Sequence, residues 1–414
     1  MKTNFSISNT SRALWFVALL FAAGCRDFVQ NIDAPIDSIN DDQLDQVSEL
    51  PFLINGVKVQ YSSAISQLSV LSGGLSDELE FSLDIRGATF PTYDELETGQ
   101  VNLNNTSVDN ALVAVGQLRI LADTLISRVA RLDSLKRFVT SDSTLKNQAL
   151  FTGYFDGGIA RFLFGAYFRL EPTRGGMALY GGPFLSSDTM FQRAVERFKT
   201  ADKYCANTDY RLNQAFLCKT LLMAGRYKEA YDVAGNTLID ADKPFQLKYS
   251  TELANFWYNN AGKGRMQWAL ANRFQTYTSL DINDTNRIKF ESVNGLSGTK
   301  KWLRQLLYPT ISSPMTVMSW QECYLMYAEL ILRVAPFKYQ DALDNFNFVR
   351  DSRFLPNAPD ITLDSIYVER DKELNCSGNR LLDQRRFKRW HLPAGTWQYL
   401  PITVSERSRN PNLK

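Results

Sequence analysis

Residues 368–390 read VERDKELNCSGNRLLDQRRFKRW, a segment with a dense pattern of acidic and basic side chains. Arg370 lies three positions before Glu373, and Arg380 lies three positions before Asp383. Residues at this separation are neighbours on a helix surface, so the spacing predicts helix with local ion pairs. Each exposed pair would contribute only about 0.2–0.5 kcal/mol. By themselves, the charges would also suit a solvated helix face.

Helical periodicity dominates the chain on the N-terminal side of this segment. Apolar residues recur at helical spacing over 110–135, 145–170 and 187–204. The third stretch begins with the N-cap signature SSDTMFQRAVERF. We therefore expect a mainly α fold.

Two further stretches predict helix pairs. Residues 211–239 contain two amphipathic segments around GRYKEA, and residues 322–350 repeat the arrangement less closely. Both place a small residue, Ala230 or Ala342, where two helix backbones would nearly touch. The pattern resembles a tetratricopeptide-type hairpin, although generic antiparallel helix pairs would also explain it because the period is not constant.

Two long stretches, 73–108 and 241–315, lack sustained periodicity, and excursions of this length in a helical protein are usually functional loops. The second carries FWYNN at 256–260, and aromatic faces beside amides suit carbohydrate. Alternatively, these aromatic rings pack the loops onto the helical body. The candidate ligand-binding residues are Trp257, Tyr258, Asn259, Asn260, Trp268 and Tyr277.

The N-terminus has the order of an export signal. Residues 1–24 hold a segment charged only by Lys2 and Arg12, an apolar run, and small residues directly before Cys25. This resembles a bacterial lipobox, which predicts lipid attachment to the Cys25 thiol; an ordinary secretory signal or an uncut anchor is the alternative. Residues 25–50 are polar and acidic and predict a spacer, which leaves 51–414 as one folded domain.

Composition excludes several classes of function. The formal net charge is only +2, and no long basic run is present, which argues against nucleic acid as a partner. His391 is the one histidine, no CxxC occurs, and phosphate-loop and dinucleotide motifs are missing, so we expect no metal site and no cofactor. A hydrolase that uses two carboxylates would leave no such motif. The remaining cysteines predict buried free thiols, with a disulfide as the alternative: Cys205, Cys218, Cys323 and Cys376.

The order of residues in 368–390 resembles the C-terminal signature of the SusD/RagB family, outer-membrane lipoproteins of Bacteroidetes. Ser377 and Leu381 depart from the usual Glu and Trp of that signature. ECYLMYAEL at 322–330, ALDNFNFVRDSR at 342–353 and YLPITVSERSRNPNL at 399–413 resemble further family segments in the same order. The signature matches are Glu369, Arg370, Glu373, Leu374, Gly378, Arg380, Asp383 and Arg386.

The resemblance implies a SusD-like helical body with tetratricopeptide-like hairpins and long irregular loops. It implies a non-enzymatic protein on the extracellular face of the outer membrane, where it caps a SusC-type TonB-dependent barrel and captures an oligosaccharide or, less favoured, a peptide. It also implies that the signature residues maintain the fold, since ligand residues of the family lie in loops. A SusD-like structural subunit that captures no nutrient is the alternative.

Overall fold

The computed structural model describes residues 44–171 and 174–413. The predicted signal peptide, the lipid-attachment residue Cys25 and most of the predicted spacer lie outside these residues. A short 3₁₀-helix, Val47–Glu49, ends the first of two units, and the second unit begins at Leu50. None of the described helices is both long and apolar enough to cross a membrane.

Helices build most of the second unit. The predicted helices are present with small shifts of their ends, and side chains cap two of them: Asn105 accepts from the backbone N–H of Val108, and Ser186 accepts from that of Thr189. The α-helices are α1 Leu50–Leu75, α2 Pro91–Glu97, α3 Thr106–Ser134, α4 Ser143–Tyr167, α5 Ser187–Ala201, α6 Asn207–Met223, α7 Tyr227–Ala234, α8 Phe256–Ala261, α9 Arg273–Leu280, α10 Trp320–Val334, α11 Tyr339–Asp351, α12 Leu363–Glu373, α13 Asn379–Arg386 and α14 Val404–Arg409.

Both predicted hairpins are confirmed as α6–α7 and α10–α11. Ala230 and Ala342 are fully buried at the contacts where a small residue was expected. The thiol of Cys218 on α6 reaches the carbonyl of Ala230 on α7 at 3.5 Å, which shows how closely the two helices approach. The four cysteines within the described residues are free thiols, so the expectation of unpaired cysteines is confirmed.

The two stretches expected to be irregular loops contain short strands, which corrects that expectation. An antiparallel sheet of order β1-β6-β8-β7 joins the stretch 73–108 to the stretch 241–315, with Leu79 opposite Leu270 and Leu270 opposite Leu303. These strands are too short for a period-two pattern to stand out in the sequence. The strands are β1 Leu79–Phe81, β2 Phe168–Glu171, β3 Arg174–Ala178, β4 Phe184–Ser186, β5 Phe245–Leu247, β6 Trp268–Leu270, β7 Phe290–Asn294, β8 Lys301–Gln305, β9 Met315–Met318 and β10 Leu400–Pro401.

The charged signature is buried, and most of its ion pairs join different elements, so the predicted exposed pairs Arg370–Glu373 and Arg380–Asp383 are wrong; one local pair, Arg386–Asp383, does form within α13. Arg370 on α12 donates to Asp383 on α13 at 2.8 Å, and Arg386 donates to the same carboxylate at 2.5 Å. Arg386 also contacts Glu329 on α10. Arginine side chains are long enough to bridge neighbouring helices, and the low local polarity strengthens each contact.

The other half of the signature faces the loops. Glu369 and Glu373 on α12 both accept from Arg287, whose guanidinium lies 2.6 Å and 3.2 Å from their carboxylates. Arg380 on α13 binds Asp77, just after α1, at 2.5 Å. The signature therefore connects α12 and α13 to the loop stretches as well as to the helical body.

Gly378 precedes α13 and lies against α1. Its φ of 82° is left-handed, and a Cβ at this position would lie 2.9 Å from the Cα of Ser69. The Gly378 carbonyl accepts from the hydroxyls of Ser72 at 3.1 Å and Tyr167 at 3.2 Å. Both the backbone angle and the close approach require glycine.

We expect Gly378→Ala to destabilise the protein more than Gly395→Ala. Gly395 is a matched control because its φ is 91° but nothing lies within 4 Å of its Cβ position. Left-handed backbone costs about 1–2 kcal/mol in either variant, and overpacking against α1 adds about 1–3 kcal/mol only at Gly378. Chemical denaturation of both variants measures the difference. Equal losses would show that the contact with α1 is not tight.

Glu78 is a buried carboxylic acid directly before β1. Its Oε1 accepts from the backbone N–H of Cys376 at 2.6 Å, and its Oε2 has no hydrogen-bond partner among the described residues. Burial raises the pKa of Glu78 from 4.5 to about 8. The folded protein therefore holds a proton that the unfolded chain releases at a lower pH.

We expect Glu78 to make stability fall as pH rises. Because its pKa is raised on folding, its stabilising proton is fully present below 4.5 and is lost as pH rises through about 8. Glu78→Gln should remove this slope and gain on the order of a few kcal/mol relative to wild type at high pH. Denaturation across that range measures it, with exposed Glu196→Gln as the control. Parallel pH profiles for wild type and Glu78→Gln would contradict the assignment.

Candidate ligand-binding site

The predicted FWYNN motif forms α8, but its tryptophan is a core residue. The side chain of Asn255 caps α8 by accepting from the backbone N–H groups of Trp257 and Tyr258. Trp257 is 0% exposed, and its indole N–H donates to the hydroxyl of Ser69 at 2.9 Å. The expectation that Trp257 stacks on a ligand is corrected, because neither face of the ring reaches solvent.

Trp268 on β6 is corrected for the same reason. It is 0% exposed and packs on the ring of Tyr93 with centroids 5.2 Å apart. A Cβ on Gly74 would lie 2.4 Å from the Trp268 ring, so the glycine leaves the space that the indole fills. Sequence composition cannot distinguish a core indole from an exposed one, since both occur in aromatic loops.

Two other candidates lie away from the cavity described below. The hydroxyl of Tyr277 on α9 donates to Asp371 at 3.1 Å, and the Tyr277 ring lies 4.8 Å from the ammonium of Lys372. Tyr277 therefore packs against charged side chains of α12. Tyr258 is half-buried, and its carbonyl accepts from Gly264 in the turn that follows α8.

Asn259 and Asn260 line a cavity of about 600 Å³, which we call the loop cavity. It lies where α8 and the segment 265–267 meet the segment 90–93 and the start of α3. Sequence reasoning missed Phe90 and Arg265 because both are separate from the FWYNN motif, and it left out Phe256, the first residue of that motif. The cavity is lined by Gln67, Leu71, Phe90, Pro91, Thr92, Tyr93, Thr106, Ser107, Asn110, Phe256, Asn259, Asn260, Arg265 and Gln267.

Hydrogen bonds fix the floor of the loop cavity. The hydroxyl of Tyr93 donates to Asn260 at 3.0 Å, and the Asn260 amide nitrogen donates to the carbonyl of Phe256 at 3.0 Å. Burial raises the pKa of Tyr93 to about 12, so its hydroxyl remains a donor at neutral pH. The backbone N–H of Gln267 donates to the carbonyl of Asn260 at 2.7 Å. Asn260 is therefore fully engaged in positioning the site.

The rim of the loop cavity presents an aromatic face and a cation. Phe90 is 44% exposed, and the guanidinium of Arg265 lies 5.4 Å from its ring centre. Arg265 also donates to the hydroxyl of Thr89, which holds it at the rim. Asn259 is half-buried, and its side-chain amide is available to a ligand at the edge.

The lining of the loop cavity is mostly uncharged. Among the described residues that line it, Arg265 alone is charged, and none is Asp, Glu or His. A pair of carboxylates for acid–base hydrolysis is therefore not present at this wall. No cluster of three metal-ligating side chains occurs among the described residues.

Comparisons with known proteins give the fold. No family model matches the chain, and no curated protein matches it either. Solved structures do match along almost the whole length. A SusD superfamily protein from Bacteroides thetaiotaomicron VPI-5482 aligns with a TM-score of 0.72 at 16% identity, covering 89% of this chain and 98% of its own.

Two other structures agree. A SusD superfamily protein from Bacteroides vulgatus ATCC 8482 aligns with a TM-score of 0.69 at 15% identity, over 89% of this chain and 98% of its own. A laminarin-binding SusD-like protein aligns with a TM-score of 0.68 at 14% identity, over 88% and 97%. The chain therefore has the mainly α fold of the SusD superfamily, as the resemblance of its C-terminal segment predicted.

Proposed function

We propose that this protein is a non-enzymatic carbohydrate-binding lipoprotein of the outer membrane, and that the loop cavity holds the oligosaccharide. The observation that carries the proposal is the rim of that cavity, where an exposed phenylalanine lies beside an amide and a guanidinium. Sugar rings stack their apolar faces on aromatic rings, and their hydroxyls need polar partners in the same cavity.

The size and charge of the loop cavity narrow the ligand class. A volume of about 600 Å³ accommodates a few sugar rings. Arg265 is the one charged side chain among its described lining residues, so a neutral or acidic oligosaccharide suits it better than a basic one. Similar folds support carbohydrate as the class, since one such structure is described as laminarin-binding and another as holding a xylogluco-oligosaccharide.

Of the residues predicted from sequence, Asn259 and Asn260 stay in the proposed site. Asn259 would contact the ligand directly, whereas Asn260 would hold the floor through Tyr93. Phe90 and Arg265 join them as a stacking face and a hydrogen-bond donor.

The proposed partner is a SusC-type TonB-dependent barrel, over which the protein would act as a lid. This part rests on the fold and on the resemblance of the signature segment. If the protein instead serves as a structural subunit, it would reside in a larger assembly and bind no glycan.

We expect Phe90→Ala and Asn259→Ala each to weaken oligosaccharide binding by about 10-fold or more, the loss of a stacking face or a hydrogen bond worth about 1.4 kcal/mol. Calorimetry with a panel of neutral and acidic oligosaccharides, and of peptides, measures this. Phe337→Ala is the matched control because that ring is 84% exposed and lies outside the loop cavity. A glycan that binds wild type and both variants equally would place the site elsewhere, and binding of peptides alone would replace carbohydrate as the class.

We expect the Cys25→Ala protein to be missing from the membrane fraction and not to co-purify with the barrel, because a lipid anchor needs the Cys25 thiol. Labelling with an alkyne fatty acid and mild-detergent purification of the tagged protein measure both. Cys205→Ala is the control, since that thiol is only half-buried. A membrane-bound, labelled Cys25→Ala protein would contradict the anchor, and co-purification of wild type with a multi-subunit assembly would favour the structural role.

A further inference from the structure

A second cavity, of about 460 Å³, lies between α1, α4, α6 and the strand β5. We call it the α4 cavity. It opens at a different part of α1 from the loop cavity: residues 55–62 line the former, and Gln67 and Leu71 line the latter. Its aromatic lining comes from three elements and consists of Tyr61, Phe151, Phe155 and Phe245.

The α4 cavity contains an unpartnered carboxylate. Asp156 on α4 lines the cavity and is only 3% exposed. Among the described residues, no donor hydrogen-bonds to the Asp156 carboxylate, and no cationic side chain lies within ion-pair distance of it. Lys58 acts on it only at longer range, from an exposed position on α1. A buried carboxylate without a partner is costly, and its burial raises the pKa of Asp156 to about 7.

The rings around Asp156 form a connected wall. Phe155 stacks on Phe151 at 5.3 Å and meets Phe245 edge-on at 6.2 Å. Tyr61 stacks on Phe245 at 6.2 Å. These rings give the α4 cavity an apolar wall beside the Asp156 carboxylate. The wall suits the apolar body of a ligand, and the carboxylate suits a cationic group.

The surroundings also limit what kind of cation fits. A divalent metal needs several oxygen ligands, and the described residues hold no cluster of three such side chains. The second carboxylate of the cavity, Asp209, is half-buried on α6. The lysines of the lining, Lys58 and Lys248, are both exposed and so lie at the rim. A compact cation with an apolar body matches a buried carboxylate that lines the same cavity as four aromatic rings.

We propose that the α4 cavity binds an organic ammonium ion with a flat or aliphatic body, its nitrogen against Asp156 and its body against the aromatic wall. Carboxylate and ammonium would form a charge-assisted hydrogen bond that supplies the missing partner of Asp156. This site is independent of the loop cavity, which carries a guanidinium and would repel the same ligand.

Benzylammonium and its neutral isostere benzyl alcohol test this proposal directly. We expect wild type to bind benzylammonium at least ~10-fold more tightly than the alcohol, by calorimetry at about pH 8, where Asp156 is ionised. Asp156→Asn keeps the shape of the side chain, removes its negative charge and should therefore remove this preference for the amine. Asp232→Asn, an exposed carboxylate on α7, is the matched control.

Three outcomes would overturn the proposal: no binding of benzylammonium up to about 10 mM, equal binding of amine and alcohol, or an Asp156→Asn variant that still prefers the amine. Should Asp156→Asn not fold, wild type alone still decides. Its affinity for benzylammonium, and not for the alcohol, should fall several-fold between about pH 8 and pH 6 as Asp156 takes up a proton. The other titratable groups that face the cavity are Lys58 and Tyr61 on α1, Asp209 on α6 and Lys248 after β5. An amine affinity that does not change over this range would refute the site.

Discussion

The buried guanidinium–carboxylate contacts of α12 and α13 are the constraint on which the fold depends. Arg370 is fully buried against Asp383, and Arg386 joins that same carboxylate to Glu329 on α10. Removing two charges from water costs nearly as much as their attraction returns, so such pairs add little net stability. Breaking one pair leaves a bare buried charge and costs about 3–5 kcal/mol. A helix arrangement that separated these partners would therefore be penalised by that amount.

Three serines on α1 connect the signature segment to the helix α8, which lines the loop cavity. Ser72 donates to the carbonyl of Gly378 at 3.1 Å, Ser69 accepts from the indole of Trp257 at 2.9 Å, and Ser66 accepts from the backbone N–H of Phe256 at 2.8 Å. Spaced by three, they lie on one face of the helix. The signature thus positions α8, although no signature residue lines the cavity.

The fold could be predicted from the sequence because the signals for it depend on nearby residues or on the order of motifs along the chain. Helical periodicity, caps such as Ser186 and small contact residues such as Ala230 depend on neighbours within a few positions. Sequence reasoning missed the partners of the signature charges: Arg370 and Glu373 have the spacing of a local pair, yet they bind Asp383 and Arg287 from other elements. It also did not single out α1, although that helix has buried apolar residues at helical spacing, at positions 50, 54, 57, 61, 64, 68, 71 and 75.

The site was only half predictable, for a physical reason. FWYNN located the right segment, but its tryptophan faces inward because Asn255 fixes the start of α8 and Ser69 holds the indole. The accessible ring belongs to Phe90, far away in sequence, which β1 and β6 bring near by pairing the two loop stretches. An aromatic residue in a loop can either pack into the core or contact a ligand, and only its neighbours in the folded structure distinguish the two roles. Here α1 contacts and buries the ring of Trp257, which the sequence favoured, whereas the ring of Phe90, which it passed over, is exposed.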